Sequence, residues 1–194
     1  MGKIYCIIGK SSTGKDTIYK LLLAREDLNL QTIVSYTTRP IRSKEVPGEE
    51  YNFVSIEEKD ALLEEGKVIE IRKYDTVYGP WFYFTVDDGN VKLDENDYIL
   101  IGTIESFEKL KEYYGENIIP IYIEVDDGMR LERALKRERK QSEPKYEEMC
   151  RRFLADQADF SQEKLEKAGI NNIFVNNEDR EETCERIAQF IKAH

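Results

Sequence analysis

Residues Gly9–Thr17 read GKSSTGKDT, a GxxxxGK pattern in which two glycines frame a short polar loop that ends in a lysine. Glycines let the backbone curl so that successive N–H groups point inward at phosphate oxygens, a following helix adds its partial positive charge, and the lysine reaches the outer phosphates. The pattern therefore gathers Gly9, Ser11, Ser12, Thr13, Gly14, Lys15, Asp16 and Thr17 around a polyphosphate. Asp16 stands where a Ser or Thr hydroxyl normally faces Mg²⁺. A carboxylate at that point can hold the metal directly or through water and also suits a first helical turn. Without metal it would repel the phosphates, so strict Mg²⁺ dependence is expected, with Asp16 or Thr17 near the ion.

A second group lies in Ser35–Phe53, SYTTRPIRSKEVPGEEYNF. Arg39 and Arg42, three apart, flank a stiffening proline, and Tyr51 follows. Guanidinium forks and a phenol grip a phosphate monoester well, because a bidentate contact fixes orientation as well as charge. The plain alternative is a solvated basic turn. A third group is Arg130–Arg152, with nine basic residues against five acidic ones. Its local excess of four leaves the remainder at −14 within a net charge of −10. Spacing by three and four puts Arg130, Arg133 and Arg137 on one helix face, where a solvated, ion-paired helix is the ordinary reading.

The rest of the composition narrows the chemistry. His194, the last residue, is the only histidine, which excludes a His base, a Ser-His relay or His metal ligands. Cys6, Cys150 and Cys184 are odd in number and show no CxxC spacing, so reduced thiols are expected rather than a zinc site or disulfides. The acidic balance argues against nucleic acid polymers and anionic membranes. No apolar run is long enough to span a membrane and no signal-peptide pattern opens the chain, which reads as a soluble cytoplasmic protein.

These groups need elements to hold them. Lys3–Ile8 reads as a buried strand running into the glycine loop, and Asp16–Ala24 as the helix after it. Short β-type runs at Gln31–Ser35, Tyr51–Ser55, Val68–Tyr74 and Val77–Phe84, broken by a charged helix at Ile56–Glu65, suggest a small mixed subdomain. Strand and helix then alternate: Tyr98–Ile101, Ile104–Tyr114, Ile118–Val125, Asp127 to about Arg139, Ile173–Val175 and Arg180–Lys192. That alternation implies a parallel sheet with helices on its faces, an α/β fold.

With these motifs in place the sequence resembles the guanylate kinase family over essentially its whole length. The patterns GxSxxGKxT at Gly9–Thr17 and S-x-T-T-R-x-x-R-x-x-E-x-x-G-x-x-Y-x-F at Ser35–Phe53 carry the resemblance, with Val68-Ile69-Glu70, Tyr78-Gly79, Arg133–Arg152 and Val175-Asn176-Asn177. It implies a P-loop kinase fold in one domain: core 1–34, 87–129 and 156–194, an inserted GMP-binding subdomain 35–86, and a helical lid 130–155. It further implies Mg²⁺-dependent transfer from ATP, as co-substrate, to GMP or dGMP. Ser35 and Glu70 would then bind guanine, and Arg39, Arg42, Tyr51 and Tyr78 the GMP phosphate. Glu45 would support the arginines, with Gly79 and Thr103 at the same site. Arg133 and Asn176 would join the loop at ATP, and Lys15, Arg39, Arg42, Arg137 and Arg152 would be catalytic. Closing arginines over the transferring phosphoryl group neutralise its charge and exclude water.

Two positions depart from the family pattern. Thr103 follows the strand YILIG where an acidic residue is usual, and Pro80 replaces a Ser or Thr after Tyr78-Gly79, removing a hydrogen-bond donor. Ribose 1,5-bisphosphate phosphokinases, which resemble divergent guanylate kinases, remain an alternative, as does a monophosphate kinase of relaxed base choice. Non-catalytic guanylate-kinase-like binding modules form a third class. They tend to lose the loop lysine or the acceptor arginines, whereas Lys15, Arg39, Arg42 and Arg137 are present here.

Overall fold

Strand β1 (Ile4–Ile8) is completely buried along its length, and it sits at the centre of the computed structural model, which describes residues 1–42, 45–76 and 79–194. On one side it pairs with β7 (Tyr98–Gly102), which continues to β2 (Gln31–Thr32). On the other it pairs with β8 (Ile118–Glu124), which continues to β9 (Ile173–Val175). All four pairings are parallel, giving a five-stranded sheet of order β2-β7-β1-β8-β9. A strand buried on both faces must be apolar throughout, which is why IYCII shows no polar alternation.

Successive β1 side chains still serve opposite faces. Ile4, Cys6 and Ile8 join Phe107 and Leu110 of α3 (Ile104–Tyr114) and Leu165 of α6 (Gln162–Lys167). Tyr5 and Ile7 join Ile18 and Leu22 of α1 (Lys15–Leu23) and Ile187 and Ile191 of α7 (Arg180–Lys192). Burial pushes the Cys6 thiol up to about 12, consistent with an unreactive core residue.

A second, four-stranded sheet has the order β4-β3-β6-β5, built from β3 (Tyr36–Thr37), β4 (Asn52–Phe53), β5 (Val68–Thr76) and β6 (Gly79–Val86). Helix α2 (Ile56–Glu64) starts at Ser55, whose hydroxyl accepts from Glu58 N while Glu58 returns a bond to Ser55 N–H. The run expected as one strand over 31–35 is divided. Gln31 and Thr32 stay in the parallel sheet and Tyr36 and Thr37 enter the second, because Ile33 is buried in one core and Thr37 in the other sheet. Ser35 lies on the crossover.

Between Val68 and Glu70 the β5–β6 register shifts by one residue, a bulge that leaves Ile69 free to pack against the first core cluster. The long basic helix is α4 (Asp127–Glu138), and a separate helix α5 (Tyr146–Asp159) follows it. Among the described residues no helix is long and apolar enough to cross a membrane.

Candidate active site

Parallel strands deliver their following loops to one edge of the sheet, where open α/β folds bind ligands. Gly9 follows β1, Thr103 follows β7 and Asn176 follows β9, so all three stand at that edge. The loop between β1 and α1 turns through Ser12 (φ 63°) and Gly14 (φ 85°), the left-handed region that glycine tolerates at no cost. Close approach also requires glycine. A Cβ on Gly9 would lie 2.7 Å from Ile123 O, and one on Gly14 would lie 2.9 Å from Asn176 Nδ2.

The loop is tied from several sides. Thr13 Oγ1 donates to Lys10 O (2.9 Å), and Asn176 Nδ2 donates to Thr13 O (2.8 Å). Arg133 Nη2 donates to the carbonyls of Asn176 and Asn177, both at 3.2 Å, so the loop after β9 couples α4 to the phosphate loop. Asp16 and Thr17 are exposed on the first turn of α1. Lys15 opens that helix and makes no hydrogen bond or ion pair among the described residues.

The second group gathers around Arg39, 4 % exposed. Its fork meets Glu45 twice, Nη1 to Oε2 at 2.7 Å and Nη2 to Oε1 at 2.5 Å. Glu45 Oε2 also accepts from Arg42 N at 2.8 Å, so one carboxylate shapes the turn that carries both arginines. The Arg42 side chain is exposed. The Arg39 guanidinium stacks over the Tyr51 ring at 5.1 Å. Burial raises the Tyr51 phenol above its ordinary value, against the lowering charges of Arg39 and Arg72.

Hydrogen bonding to Arg39 holds the Glu45 carboxyl down at about 2, against an ordinary 4.5. A depressed carboxyl stabilises the fold above its unfolded value and loses that contribution as pH falls through the folded one. The turn is therefore expected to stay ordered from neutral pH to about 4.5 and to loosen as pH falls toward about 2. In Glu45→Gln this acid-dependent step should disappear from a pH titration of Tyr51 fluorescence or NMR shifts.

Glu70 is buried in β5, and its Oε1 accepts from Thr85 Oγ1 at 2.9 Å. Thr103 caps α3: its Oγ1 accepts from Ser106 N at 3.2 Å while Ser106 Oγ accepts from Thr103 N at 2.8 Å. The Ser35 carbonyl accepts from Asn52 N at 2.9 Å. Gly79 opens β6 with φ 102°. Tyr78 lies outside the described residues.

The three arginines expected on one face of α4 separate in what they touch. Arg133 meets the carbonyls after β9, Arg137 is exposed and makes no bond among the described residues, and Arg130 is only 1 % exposed. Arg130 Nε donates to Ser11 O at 3.1 Å, Nη2 to Asp156 Oδ2 at 2.8 Å, and Nη1 to Asp127, while Phe153 stacks on the guanidinium at 4.8 Å. The same Asp156 oxygen accepts from the N–H of Ser11 at 2.8 Å and from its hydroxyl. Ser11, expected among the ATP contacts, thus has its N–H, carbonyl and hydroxyl all engaged by the roots of α4 and α5. Arg152, one turn before Asp156 on α5, is exposed and bonds Glu148 at 2.7 Å.

The clamp of Arg130, Asp156 and Ser11 has no signature in the sequence. Arg130 reads as one more lid cation, and Asp156 lies 145 residues from its Ser11 partner. Removing one partner of a buried ion pair typically costs about 3 kcal/mol or more. Asp156→Ala is therefore expected to lower the melting temperature by roughly 6 to 12 °C and to raise the KM for ATP more than that for the acceptor. Calorimetry with steady-state kinetics checks both.

Around this edge, Ser12, Gly14, Arg133, Arg137 and Asn176 line an open cleft of about 600 Å³, which suits a nucleotide. Arg137 and Arg152 face a smaller depression beside Ser11 and Ser12. Among the described residues, the two buried side-chain polar atoms with no partner are Ser12 Oγ and Arg39 Nε, one in each candidate phosphate site. Such atoms are costly unless a ligand completes them.

The sequence model of the family described as guanylate kinase matches residues 1–194. The guanylate kinase of Caldanaerobacter subterraneus subsp. tengcongensis is 33 % identical over 194 residues, covering 99 % of this chain and 87 % of that protein. That of Salinibacter ruber is 29 % identical over 98 % of this chain and 97 % of its own length. The crystal structure of guanylate kinase from Anaplasma phagocytophilum superposes with a TM-score of 0.64 at 27 % identity, over 99 % of this chain and 85 % of that one. With a glycine phosphate loop at the sheet edge, an arginine turn ordered by Glu45, and relatives matched along nearly its full length, the chain belongs to the guanylate kinase family of nucleoside monophosphate phosphotransferases.

Proposed function

We propose that this chain transfers the γ-phosphoryl group of ATP to GMP or dGMP, yielding ADP and GDP or dGDP, by direct in-line displacement without a covalent enzyme intermediate. The observation that carries the reading is the pair of unmatched buried donors, Ser12 Oγ and Arg39 Nε. A triphosphate on the loop would engage the first and a monophosphate on the turn the second, so that an acceptor phosphate oxygen can attack the γ-phosphorus as the bond from that phosphorus to the ADP oxygen breaks.

In this reading Lys15 and the amides from Ser12 to Thr17 hold the donor phosphates, and Arg39, Arg42, Tyr51 and Tyr78 hold the acceptor phosphate. Glu45 fixes the fork of Arg39 and the backbone of Arg42. Ser35, Glu70, Gly79 and Thr103 shape the base site, and Arg133 and Asn176 border the ATP cleft. Residues 35–86 act as the acceptor subdomain and 130–155 as a lid on a core of 1–34, 87–129 and 156–194. Its closure would bring Arg137 and Arg152 to the transferring group. Catalysis is then positioning and charge neutralisation, since phosphoryl transfer asks little covalent chemistry of the protein.

Asp16 and Thr17, exposed at the start of α1, suit Mg²⁺, which takes one or two protein oxygens and completes its shell with water and phosphate oxygens. No cluster of three metal-ligating side chains occurs among the described residues, so a dedicated all-protein cage is not what this site offers. When bound, the ion supplies charge neutralisation at the phosphates. A cytoplasmic place and small nucleotide partners, rather than nucleic acid polymers or membranes, fit the acidic surface outside these pockets.

The test is ADP release from ATP with Mg²⁺ against GMP, dGMP, AMP, UMP and ribose 1,5-bisphosphate. Turnover confined to the guanine nucleotides is expected. Turnover with ribose 1,5-bisphosphate alone would replace this reading with the phosphokinase one.

A further inference from the structure

Glu70 does not stand alone in the base site. Arg72, two residues along β5 on the same face, donates Nε to Glu70 Oε2 at 3.0 Å, with Nη2 3.4 Å from Oε1. The two side chains are 14 % and 2 % exposed, so this is a largely buried pair. The neighbouring Ile69 packs against the core cluster that contains Cys6 of β1. Across from Arg72 in the ladder is Tyr83, whose ring meets that of Tyr51 at 5.6 Å, and Tyr51 lies under Arg39. One continuous face therefore runs from Glu70 through Arg72, Tyr83 and Tyr51 to Arg39, with a recognition group at each end.

A guanidinium has five N–H donors and a carboxylate has about four acceptor positions. Glu70 uses those facing Thr85 and Arg72 and keeps capacity for further donors. Arg72 gives Nε–H and one Nη2–H to Glu70, and its other N–H groups have no acceptor among the described residues. A lone carboxylate reads only donors, whereas this pair offers an acceptor edge beside a donor edge. Its complement is an N–H next to a C=O. A 6-oxopurine presents that arrangement at N1 and C6. Adenine presents the inverse, a lone pair at N1 and an amino group at C6, which would meet the carboxylate and the guanidinium with both polarities wrong.

We propose that Arg72 is a specificity-determining residue of the acceptor site, forming with Glu70 a donor–acceptor pair that reads the N1–H and C6=O of a 6-oxopurine base. The inference rests on the acceptor reading above and extends it, since it assigns the C6 oxygen a charged donor where Pro80 supplies none.

The test compares kcat/KM for GMP, IMP and AMP in the unaltered protein, Arg72→Leu and Arg72→Lys. IMP keeps N1–H and the C6 oxygen and lacks the 2-amino group. Losing a charged hydrogen bond in a buried site should lower kcat/KM for GMP and IMP alike by about 10- to 100-fold in Arg72→Leu. The values for AMP and the KM for ATP should stay within about twofold, so that guanine selectivity narrows, and Arg72→Lys should recover part of it. An equal fall for all three acceptors would overturn the proposal, as would an unchanged ratio of GMP to AMP.

Because Arg72→Leu leaves Glu70 unpaired, a measurement on the unaltered protein stands beside it. IMP is expected to bind at least about tenfold tighter than 2-aminopurine riboside 5′-monophosphate, which has the 2-amino group but neither N1–H nor the oxygen. The reverse order would overturn the proposal whatever the variants do. No turnover of GMP by the unaltered protein would remove the acceptor reading and this inference together. Normal GMP turnover with selectivity insensitive to Arg72 would remove this inference alone.

Discussion

Lys15→Met is expected to lower kcat by about 1,000-fold or more while leaving the melting temperature within about 2 °C. The lysine opens α1 from a loop whose Gly14 adopts φ 85°, and its amine has no acceptor among the described residues. Nothing in the fold depends on it, so a large kinetic effect without a stability effect would isolate charge placed at the outer phosphates. Methionine keeps most of the length and removes the charge. Steady-state kinetics with thermal melts distinguish the outcomes, and turnover close to that of the unaltered protein would rule out the phosphate-loop mechanism.

Arg39→Ala should have the second large effect, and a different signature. Arg39 is buried with its fork on Glu45, so truncation removes the side chain proposed to hold the acceptor phosphate and also frees the carboxylate that orders the Arg42 backbone. The expected result is a fall of about 1,000-fold or more in kcat/KM for GMP, with a KM for ATP that moves by less than about threefold. Breaking the pair should also cost about 3 kcal/mol of stability. Arg39→Lys should rescue little, because an ammonium cannot reproduce two parallel bonds to Glu45. Equal losses for donor and acceptor would place Arg39 outside the acceptor site.

What the sequence disclosed and what it hid follow from where the information lies. Strand β1 and the loop after it are legible because burial on both faces demands an unbroken apolar run and the turn demands glycine. The bounds of α3 are legible because Thr103 and Ser106 form a local cap before an apolar stripe. Helix α5 is another matter. Its apolar residues Tyr146, Met149, Cys150, Phe153 and Leu154 recur at helical spacing, yet none of its residues is fully buried, and its place depends on Asp156 reaching Ser11 and Arg130.

The two-residue β3 is too short for any period, and it shares its run with β2, which belongs to the other sheet. Arg130 shows the same limit among site residues. Its spacing with Arg133 and Arg137 is helical and visible, but that the first grips the phosphate loop, the second the loop after β9 and the third faces the cleft is decided by tertiary neighbours. Arg72 is intermediate: strand periodicity puts it on the face of Glu70, while the ion pair between them emerges only when the bulge at Ile69 sets that face toward the core sheet.

In the proposed reaction a phosphoryl group moves from ATP to a guanine nucleotide held by Arg39 and Glu70. Incubating the protein with ATP labelled at the γ-phosphorus, Mg²⁺ and an equimolar mixture of GMP, AMP and ribose 1,5-bisphosphate, then separating the products, tests it in one step. Label is expected in GDP, at a rate matching ADP release, with none on the protein. Label accumulating in the ribose phosphate product, in inorganic phosphate, or covalently on the chain would contradict it.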